Sequence, residues 1–121
     1  MASNPLERII ERKRHEVEEG RGRVSLEDMR LRAMEADPPR NFFRAVTTHP
    51  TPDHWSVIAE IKRKSPSAGW IREEYRSDDF DPVPFARAYH EAGAVAISCL
   101  TDGPDFGGDI DYIRRIRNRV P

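Results

Sequence analysis

Apolar residues are sparse and helically spaced in the first part of the chain, and they gather into two short runs farther on. Asn4 and Pro5 are the residue types of a helix N-cap and first helical position. A narrow apolar stripe at helical spacing follows them, formed by Leu6, Ile9, Ile10 and Val17. The pattern predicts a mostly solvated helix that ends at Gly20-Arg21-Gly22.

A second helix is predicted directly after this one. Ser25, with Asp28 three residues later, has the form of a capping box. The side chains expected to point inward are Leu26, Met29, Ala33 and Met34. The sequence Asp37-Pro38-Pro39 ends the helix, a short helical piece covers residues 42–46, and a loop follows over residues 47–53.

The hydrophobic period changes at Trp55. Residues 55–62 form a short, mostly apolar run rich in β-branched residues, which predicts a strand covered on both faces. Residues 63–80 are polar and lead to a helix with Asp81 as its cap and Pro82 at its first position. The apolar face of that helix is formed by Phe85, Ala86, Tyr89 and Ala92.

The remainder repeats the same order of elements. Gly93 has the residue type of a helix C′ position, and residues 94–100 predict a second buried strand. After a Gly-rich loop over residues 101–108, Asp109 is the expected cap of a last helix. That helix is expected to turn three side chains inward: Ile110, Ile113 and Ile116.

This order of elements indicates parallel strands joined by a helix. Two parallel strands do not form an independent sheet, because such sheets are buried on both faces. A complete (β/α)8 barrel takes about 250 residues, about twice the 121 residues of this chain. We therefore predict an α/β fold with a helical N-terminal extension, residues 1–53, followed by the first two βα units of an incomplete TIM barrel, residues 54–121.

Composition excludes several classes of protein. Lys and Arg number 20 against 21 Asp and Glu, and this balance argues against a nucleic-acid binder. The sequence has neither an apolar run long enough for a membrane span nor a secretory signal, so we expect a cytoplasmic protein without membrane contact. The single Cys99 and four scattered histidines predict neither a disulfide nor a metal site.

Candidate chemistry lies at the ends of the two predicted strands. Glu60 and Lys62 project to one face of the first strand, near its carboxyl end, where ligands of parallel sheets bind. A salt bridge at the strand end is one interpretation, and a pair retained in a dry interior for function is the other. The run Lys62–Ser67 could offer cationic and hydroxyl groups to an anion. The second loop carries Phe106 at its tip, where an aromatic ring more often covers local core than contacts a substrate.

A set of motifs along the second half of the chain resembles the start of indole-3-glycerol phosphate synthase. The motifs are Val57-Ile58-Ala59-Glu60-Ile61-Lys62-Arg63-Lys64-Ser65-Pro66-Ser67, Ile71-Arg72-Glu73, Phe80-Asp81-Pro82, Ala86-Arg87-Ala88-Tyr89, Gly93-Ala94 and Ile97-Ser98-Cys99-Leu100-Thr101-Asp102 with Phe106 and Gly107. The charged N-terminal helices are similar to the extra N-terminal segment of that family, so the resemblance covers nearly the whole chain.

The resemblance implies a TIM barrel and a decarboxylating lyase of tryptophan and aromatic amino acid biosynthesis. Its substrate would be a small phosphorylated molecule, 1-(2-carboxyphenylamino)-1-deoxyribulose 5-phosphate, converted without metal or organic cofactor. Glu60 and Lys62 match the catalytic Glu and Lys of the family's first strand. Ser65 matches its substrate-contacting Ser, and Phe106 matches the aromatic residue over the anthranilate ring.

The chain also departs from the family pattern. The family's principal general acid and general base lie on the third and fourth strands, and its phosphate-binding loops follow the seventh and eighth. None of these positions occurs within residues 1–121, so we expect no activity from this chain alone. The segment over residues 74–79, which leads to Asp81-Pro82, is also a few residues longer than is usual in the family.

The alternative function is a non-catalytic half-barrel module that complements a chain carrying the remaining strands.

Overall fold

The computed structural model describes residues 4–48 and 51–121. These residues fall into two compact units, one within residues 4–40 and the other within residues 41–121. Residues 49 and 50 of the predicted loop, His49 among them, lie outside the described residues.

The first unit contains two helices. Helix α1 spans Pro5–Arg23, and the Asn4 side chain caps it by accepting a hydrogen bond from the Leu6 amide at 3.0 Å. The predicted end at Gly20 is wrong, because the helix continues through both glycines until Val24 adopts an extended backbone. Glycine costs a helix less than about 1 kcal/mol, and an ion pair between Arg23 and Glu19 at 3.1 Å spans this last turn.

Helix α2 spans Leu26–Glu35, and the Ser25 hydroxyl accepts from the Asp28 amide at 3.1 Å, which confirms the predicted cap. The expectation that its apolar side chains point into a core is wrong. Leu26, Met29 and Met34 are 64%, 51% and 82% exposed. This ten-residue helix has five apolar side chains and is amphipathic, but amphipathicity alone does not supply a surface to cover them.

The second unit begins with a short helix, α3, over Phe42–Thr47, followed by the first strand, β1, over Ile58–Ile61. Strand β4, over Ala96–Cys99, pairs with β1 in parallel, with Ile58 opposite Ala96 and Ile61 opposite Cys99. The parallel pairing was predicted. The strands are shorter than the apolar runs, because strand length is set by the residues that find a hydrogen-bonding partner.

Two helices, α4 over Val83–Glu91 and α6 over Asp111–Arg117, complete the predicted order. Asp81 accepts from the Val83 amide at 3.1 Å, and Asp109 accepts from the Asp111 amide at 2.8 Å. Both predicted carboxylates therefore satisfy an amide of the first helical turn. The predicted N-cap positions are wrong by one residue, because each helix starts one residue later than expected and has Pro82 or Ile110 at its N-cap.

The core lies between these helices and one face of the strand pair. Its buried members are Ile61, Phe80, Ala86, Tyr112, Ile116 and Val120. The prediction that Ile110 and Ile113 face inward is wrong, since they are 75% and 44% exposed. Because α6 is short, its inward positions are one turn apart, and Tyr112 and Ile116 occupy them.

The structure adds elements that the pattern did not predict. An antiparallel hairpin joins β2, Lys64–Ser65, to β3, Gly69–Trp70, and is followed by a 3-10 turn over Glu73–Arg76. A four-residue helix, α5, spans Gly103–Phe106. Within the described residues there are two sheets of two strands each and no closed sheet.

No helix in residues 4–48 and 51–121 has both the length and the apolar character needed to cross a bilayer.

Candidate active site

The pair of strands β1 and β4 has two unlike faces. Ile61 is 5% exposed and belongs to the core, where Ile97 and Cys99 pack against it. On the opposite face Ile58 is 50% exposed, and Glu60 is also exposed. The prediction that both faces of β1 are covered is therefore wrong for the face that carries Glu60.

Glu60 and Lys62 form an ion pair on this open face, with 2.8 Å between Lys62 Nζ and Glu60 Oε1. Their side chains are 47% and 35% exposed, so the expectation that both charges enter a dry interior is wrong for this chain. The reason is that helices cover only one face of the strand pair. At this exposure an ion pair contributes about 0–1 kcal/mol of stability, and the salt-bridge interpretation accounts for its geometry.

Ser98 is a polar residue that the sequence analysis did not select. It lies opposite Glu60 in the parallel register and is exposed. Because register partners project to the same face of a sheet, its hydroxyl belongs to the face of Glu60. The available signal was a serine within an otherwise apolar strand.

Arg63 turns inward rather than offering its guanidinium to an anion. Its Nε donates to the Tyr75 carbonyl at 2.8 Å, and Nη2 donates to the Ser77 carbonyl at 2.7 Å. Nη1 donates to the Gly107 carbonyl at 2.8 Å and to the Tyr112 hydroxyl at 3.0 Å. One side chain thus ties the segment after β1 to the loop after β4 and to helix α6.

Lys64 makes a second tie between the same two loops, since its Nζ donates to the Pro104 carbonyl at 3.0 Å. Of the three adjacent cations, Lys62, Arg63 and Lys64, each therefore has a protein partner. The prediction that this run presents free cationic groups to an anion is not what the structure shows.

Ser65 lies in β2, at the start of the hairpin turn. Its hydroxyl accepts from the Ala68 amide at 3.1 Å and lies 3.5 Å from the Ser67 hydroxyl. The side chain thereby closes the turn that leads to Gly69, where φ is +69°. This role explains the Ser-Pro-Ser-Ala-Gly sequence locally, and whether Ser65 also contacts a substrate stays a prediction.

Phe106 is half-buried and is the last residue of α5. Asp102 caps this helix by accepting from the Asp105 amide at 3.0 Å, and Gly107 ends it in the left-handed region, with φ of +62°. The sequence features behind α5 were the tripeptide Asp-Gly-Pro and the dipeptide Phe-Gly. They were interpreted as a loop because four residues are too few to show a hydrophobic period.

The four residues selected from the sequence lie near the carboxyl ends of the parallel strands or in the segments that follow them. Glu60 and Lys62 are in contact. The residues next to Ser65 and Phe106 in the chain also lie close to each other. An ideal Cβ built on Gly107, next to Phe106, would lie 3.6 Å from Cβ of Lys64, next to Ser65. The fold thus brings Ser65 and Phe106 to one pair of touching loops.

Cys99 ends β4, and burial raises the pKa of its thiol from 9.0 to about 11. The thiol is therefore protonated at neutral pH and is a poor nucleophile. In the part of the chain that the structure describes, no three His, Cys, Asp or Glu side chains cluster as a metal site would require.

Comparison with known families identifies the family to which the chain belongs. The sequence profile of indole-3-glycerol phosphate synthase matches residues 6–121. The chain belongs to the indole-3-glycerol phosphate synthase family. The resemblance read from the sequence motifs is thereby confirmed, and the synthase family is one of TIM barrels.

Individual relatives give the same result. The chain is 43% identical over 119 residues to the indole-3-glycerol phosphate synthase of Rhodospirillum rubrum, with 98% of this chain and 43% of the relative covered. It is 43% identical to that of Acaryochloris marina, of which it covers 36%, and 40% identical to that of Crocosphaera subtropica, of which it covers 38%. The chain thus spans about two fifths of the length of these curated relatives.

Proposed function

We propose that residues 54–121 supply the first two βα units of an indole-3-glycerol phosphate synthase barrel, preceded by a helical extension over residues 1–53. The reaction is the decarboxylating ring closure of 1-(2-carboxyphenylamino)-1-deoxyribulose 5-phosphate, a carboxy-lyase step of tryptophan biosynthesis in the cytoplasm, without metal or organic cofactor. The observation that carries the proposal is the Glu60–Lys62 pair on the open face of β1, in a chain of this family.

The chemistry of the reaction suits this pair. Forming the ring joins two carbons, releases carbon dioxide from the aromatic ring and then releases water. Lys62 would place a positive charge beside the substrate carboxylate and donate a hydrogen bond to a reacting oxygen. Glu60 holds that ammonium in place through the 2.8 Å ion pair, while Ser65 and Phe106 contact the substrate from the two loops.

We also propose that residues 1–121 do not turn over substrate by themselves. The resemblance puts the principal general acid, the general base and the phosphate-binding loops of the barrel on later strands. Each positioned acid or base contributes about 10²- to 10⁴-fold to such a reaction, so the pair in this chain is insufficient.

A complementation assay tests these proposals. Residues 1–121 are mixed with a polypeptide comprising the part of the Rhodospirillum rubrum relative that lies beyond the matched region, and the fluorescence of the indole product is followed. We expect no turnover from either piece and measurable turnover from the mixture. Turnover by residues 1–121 alone at an ordinary enzyme rate would refute the second proposal.

Variants of the pair test the assigned roles in the same mixture. We expect Lys62→Met to lower kcat by about 10²-fold or more and Glu60→Gln to lower it by about tenfold. Glu91→Gln, at an exposed position of α4, is the matched control and should leave kcat unchanged. Wild-type kcat in Lys62→Met would refute the catalytic assignment.

The alternative is a non-catalytic half-barrel module that complements another chain. The observation in its favour is exposed apolar surface at β1: Ile58, on the open face, and Val57, directly before the strand, are each 50% exposed. Under this alternative the mixture forms a stable complex in sedimentation but shows no turnover. A monodisperse monomer that unfolds cooperatively and binds no second piece would contradict it.

A further inference from the structure

Besides the hydrogen bonds of Arg63 and Lys64, the segments that follow β1 and β4 are in contact where the ring of Trp70 packs over Gly107. Gly107 has φ of +62°, and an ideal Cβ built on it would lie 3.1 Å from Trp70 Cζ3 and 3.2 Å from Trp70 Cη2. A side chain at position 107 would therefore require the indole ring to move by a few tenths of an ångström. This contact joins the end of the hairpin to the residue directly after Phe106.

The same ring lies beside both side chains that tie the loops together. The Arg63 guanidinium carbon is 5.1 Å from the centre of the Trp70 ring, and Lys64 Nζ is 5.7 Å from it, both within the range of cation–π attraction. These two cations are the donors to the Gly107 and Pro104 carbonyls described above. Trp70 thus contacts Gly107 and also packs beside the cations whose hydrogen bonds hold the second loop.

We propose that Trp70 is a positioning residue: by packing over Gly107 and beside Arg63 and Lys64, it holds the loop of Phe106 against the hairpin of Ser65 before any substrate binds. The importance of this for catalysis rests on the proposed function, which makes Phe106 and Ser65 substrate contacts. The contact itself does not depend on that function and is measured without turnover.

Fluorescence tests whether the contact exists in the full chain in solution. The chain has two tryptophans, so Trp55→Phe leaves Trp70 as the only indole, and Trp70→Phe leaves Trp55, which is 85% exposed. We expect Trp70 to emit at shorter wavelength than Trp55 and to be quenched by acrylamide with a constant at least about twofold smaller. Equal emission and equal quenching of the two indoles would overturn the proposal.

Amide hydrogen exchange tests whether the ring holds the second loop. The Gly107 amide donates to the Gly103 carbonyl at 2.8 Å, and the Gly108 amide donates to the Asp102 carbonyl at 2.7 Å. In Trp70→Ala we expect both amides to exchange about tenfold faster, and Trp70→Phe to restore part of the protection. The Leu100 amide, bonded to the Ile61 carbonyl at 3.1 Å, reports the sheet and should not change.

Matched controls distinguish the effect of losing the Trp70–Gly107 contact from two other effects. These are the backbone strain of a side chain at positive φ and the removal of a tryptophan elsewhere in the chain. Trp55→Ala should leave the exchange of Gly107 and Gly108 unchanged. Gly93 also has positive φ, +94°, but has open space where a Cβ would stand. In the Trp55→Phe background, Gly107→Ala should therefore shift Trp70 emission to longer wavelength, whereas Gly93→Ala should leave that emission unchanged.

Unchanged exchange at Gly107 and Gly108 in Trp70→Ala would overturn the proposal. If that variant loses protection at Leu100 as well, it has unfolded, and the paired glycine variants then decide the question. Absence of sheet protection in the wild-type chain would also overturn it, because the contact is proposed to hold without ligand.

In the complemented enzyme, Trp70→Ala should raise KM by about tenfold with a smaller effect on kcat, as expected for displaced binding loops. A complemented enzyme without any turnover would count against the proposed function, while the exchange result would still decide the role of Trp70.

Discussion

Arg63 combines three kinds of interaction in one side chain. Its fork of donors reaches three backbone carbonyls and the Tyr112 hydroxyl, and its guanidinium carbon lies 4.6 Å from the centre of the Phe80 ring. Carbonyl groups that are partly buried cost free energy when they lose a donor, and the bonds to Tyr75 and Gly107 are of this kind. The contribution of Arg63 to stability therefore lies as much in satisfying these groups as in its charge. A lysine at this position has one nitrogen and cannot reach all of them.

We therefore expect Arg63→Lys to lower the free energy of unfolding by about 1.5–3 kcal/mol, measured by urea denaturation of the full chain. Arg87→Lys, at an exposed position of α4, is the matched control, and the expected change there is below about 0.5 kcal/mol. Equal unfolding free energies in the two variants would contradict the role assigned to Arg63.

Gly108 is required by close packing of backbone against backbone. An ideal Cβ built there would lie 2.1 Å from the Leu100 carbonyl oxygen and 2.8 Å from the Thr101 carbonyl carbon. We expect Gly108→Ala to destabilise the chain by about 1–3 kcal/mol or more, because the loop after β4 must move away from the strand end. Urea denaturation gives the unfolding free energy of Gly108→Ala. A value equal to that of wild type would contradict this prediction, because it would show that the loop accommodates the methyl group without cost.

The Cys99 thiol offers a test based on pH. Burial raises its pKa to about 11 from 9.0, so at pH 8 the folded thiolate fraction is about 100-fold below that of the unfolded chain. We expect a disulfide reagent to react at least about tenfold faster in urea than in buffer, and no other thiol contributes because Cys99 is the single cysteine. Equal rates in the two solvents would place the thiol at the surface.

The same shift has a defined sign for stability. Because the pKa is raised in the folded state, the contribution of Cys99 to the free energy of unfolding is fully present below pH 9.0. It is lost as the pH rises through about 11. In Cys99→Ser the decline of the unfolding free energy over this window should be smaller than in wild type.

At the scale of single elements, helix termini were the most predictable features. Asn4, Ser25, Asp81 and Asp109 each accept the amide hydrogen bond that their positions predicted. Capping depends on residues within one helical turn, so sequence proximity is enough to identify it. The end of α1 was less predictable, because glycine lowers helix stability without preventing the helical conformation.

Gly20 lies inside α1 with nothing within 4 Å of an ideal Cβ. We expect Gly20→Ala to stabilise this helix by about 0.5–1 kcal/mol and to slow amide exchange in its last turns. Gly22→Ala, which lies next to the last residue of α1, is the control and should have the smaller effect because helix ends fray. A larger effect at position 22 than at position 20 would show that the helix continues beyond Arg23.

The hairpin of β2 and β3 and the helix α5 show the opposite behaviour. Each strand of the hairpin has two residues and α5 has four, so neither repeats a hydrophobic period often enough to be recognised. Besides the local bonds of Ser65 and Asp102, contacts distant in sequence hold the segments around these elements, such as those of Arg63 with Tyr75, Ser77 and Gly107.

At the scale of the whole molecule, one face of the β1–β4 pair is covered and the other is open. Ile61 on the covered face is 5% exposed, whereas Ile58 on the open face is 50% exposed. A parallel sheet buries both faces in a complete fold, so the open face is the surface against which we expect further strands to pack.

This contrast predicts different effects of the same substitution. Ile61→Ser should cost the chain about 3 kcal/mol or more, and Ile58→Ser less than about 1.5 kcal/mol, both by urea denaturation. In the complementation mixture Ile58→Ser should weaken binding of the second piece by at least about tenfold. Unchanged binding in that variant would argue that the open face does not form the interface.

The sequence by itself determined the order of elements, the parallel pairing of the two strands, the side chains that bond the first-turn amides of four helices, and the family. Each of these depends on local hydrophobic patterns, on residues within one helical turn, or on motifs whose residue types and spacing resemble those of the family. It also selected Glu60 and Lys62 as neighbours, since strand alternation places them on one face. Only the tertiary structure decided that this face is open, that Arg63 points inward and that Trp70 packs over Gly107. Those outcomes depend on which distant groups compete for the same donors and the same space, and local patterns carry no information about that competition.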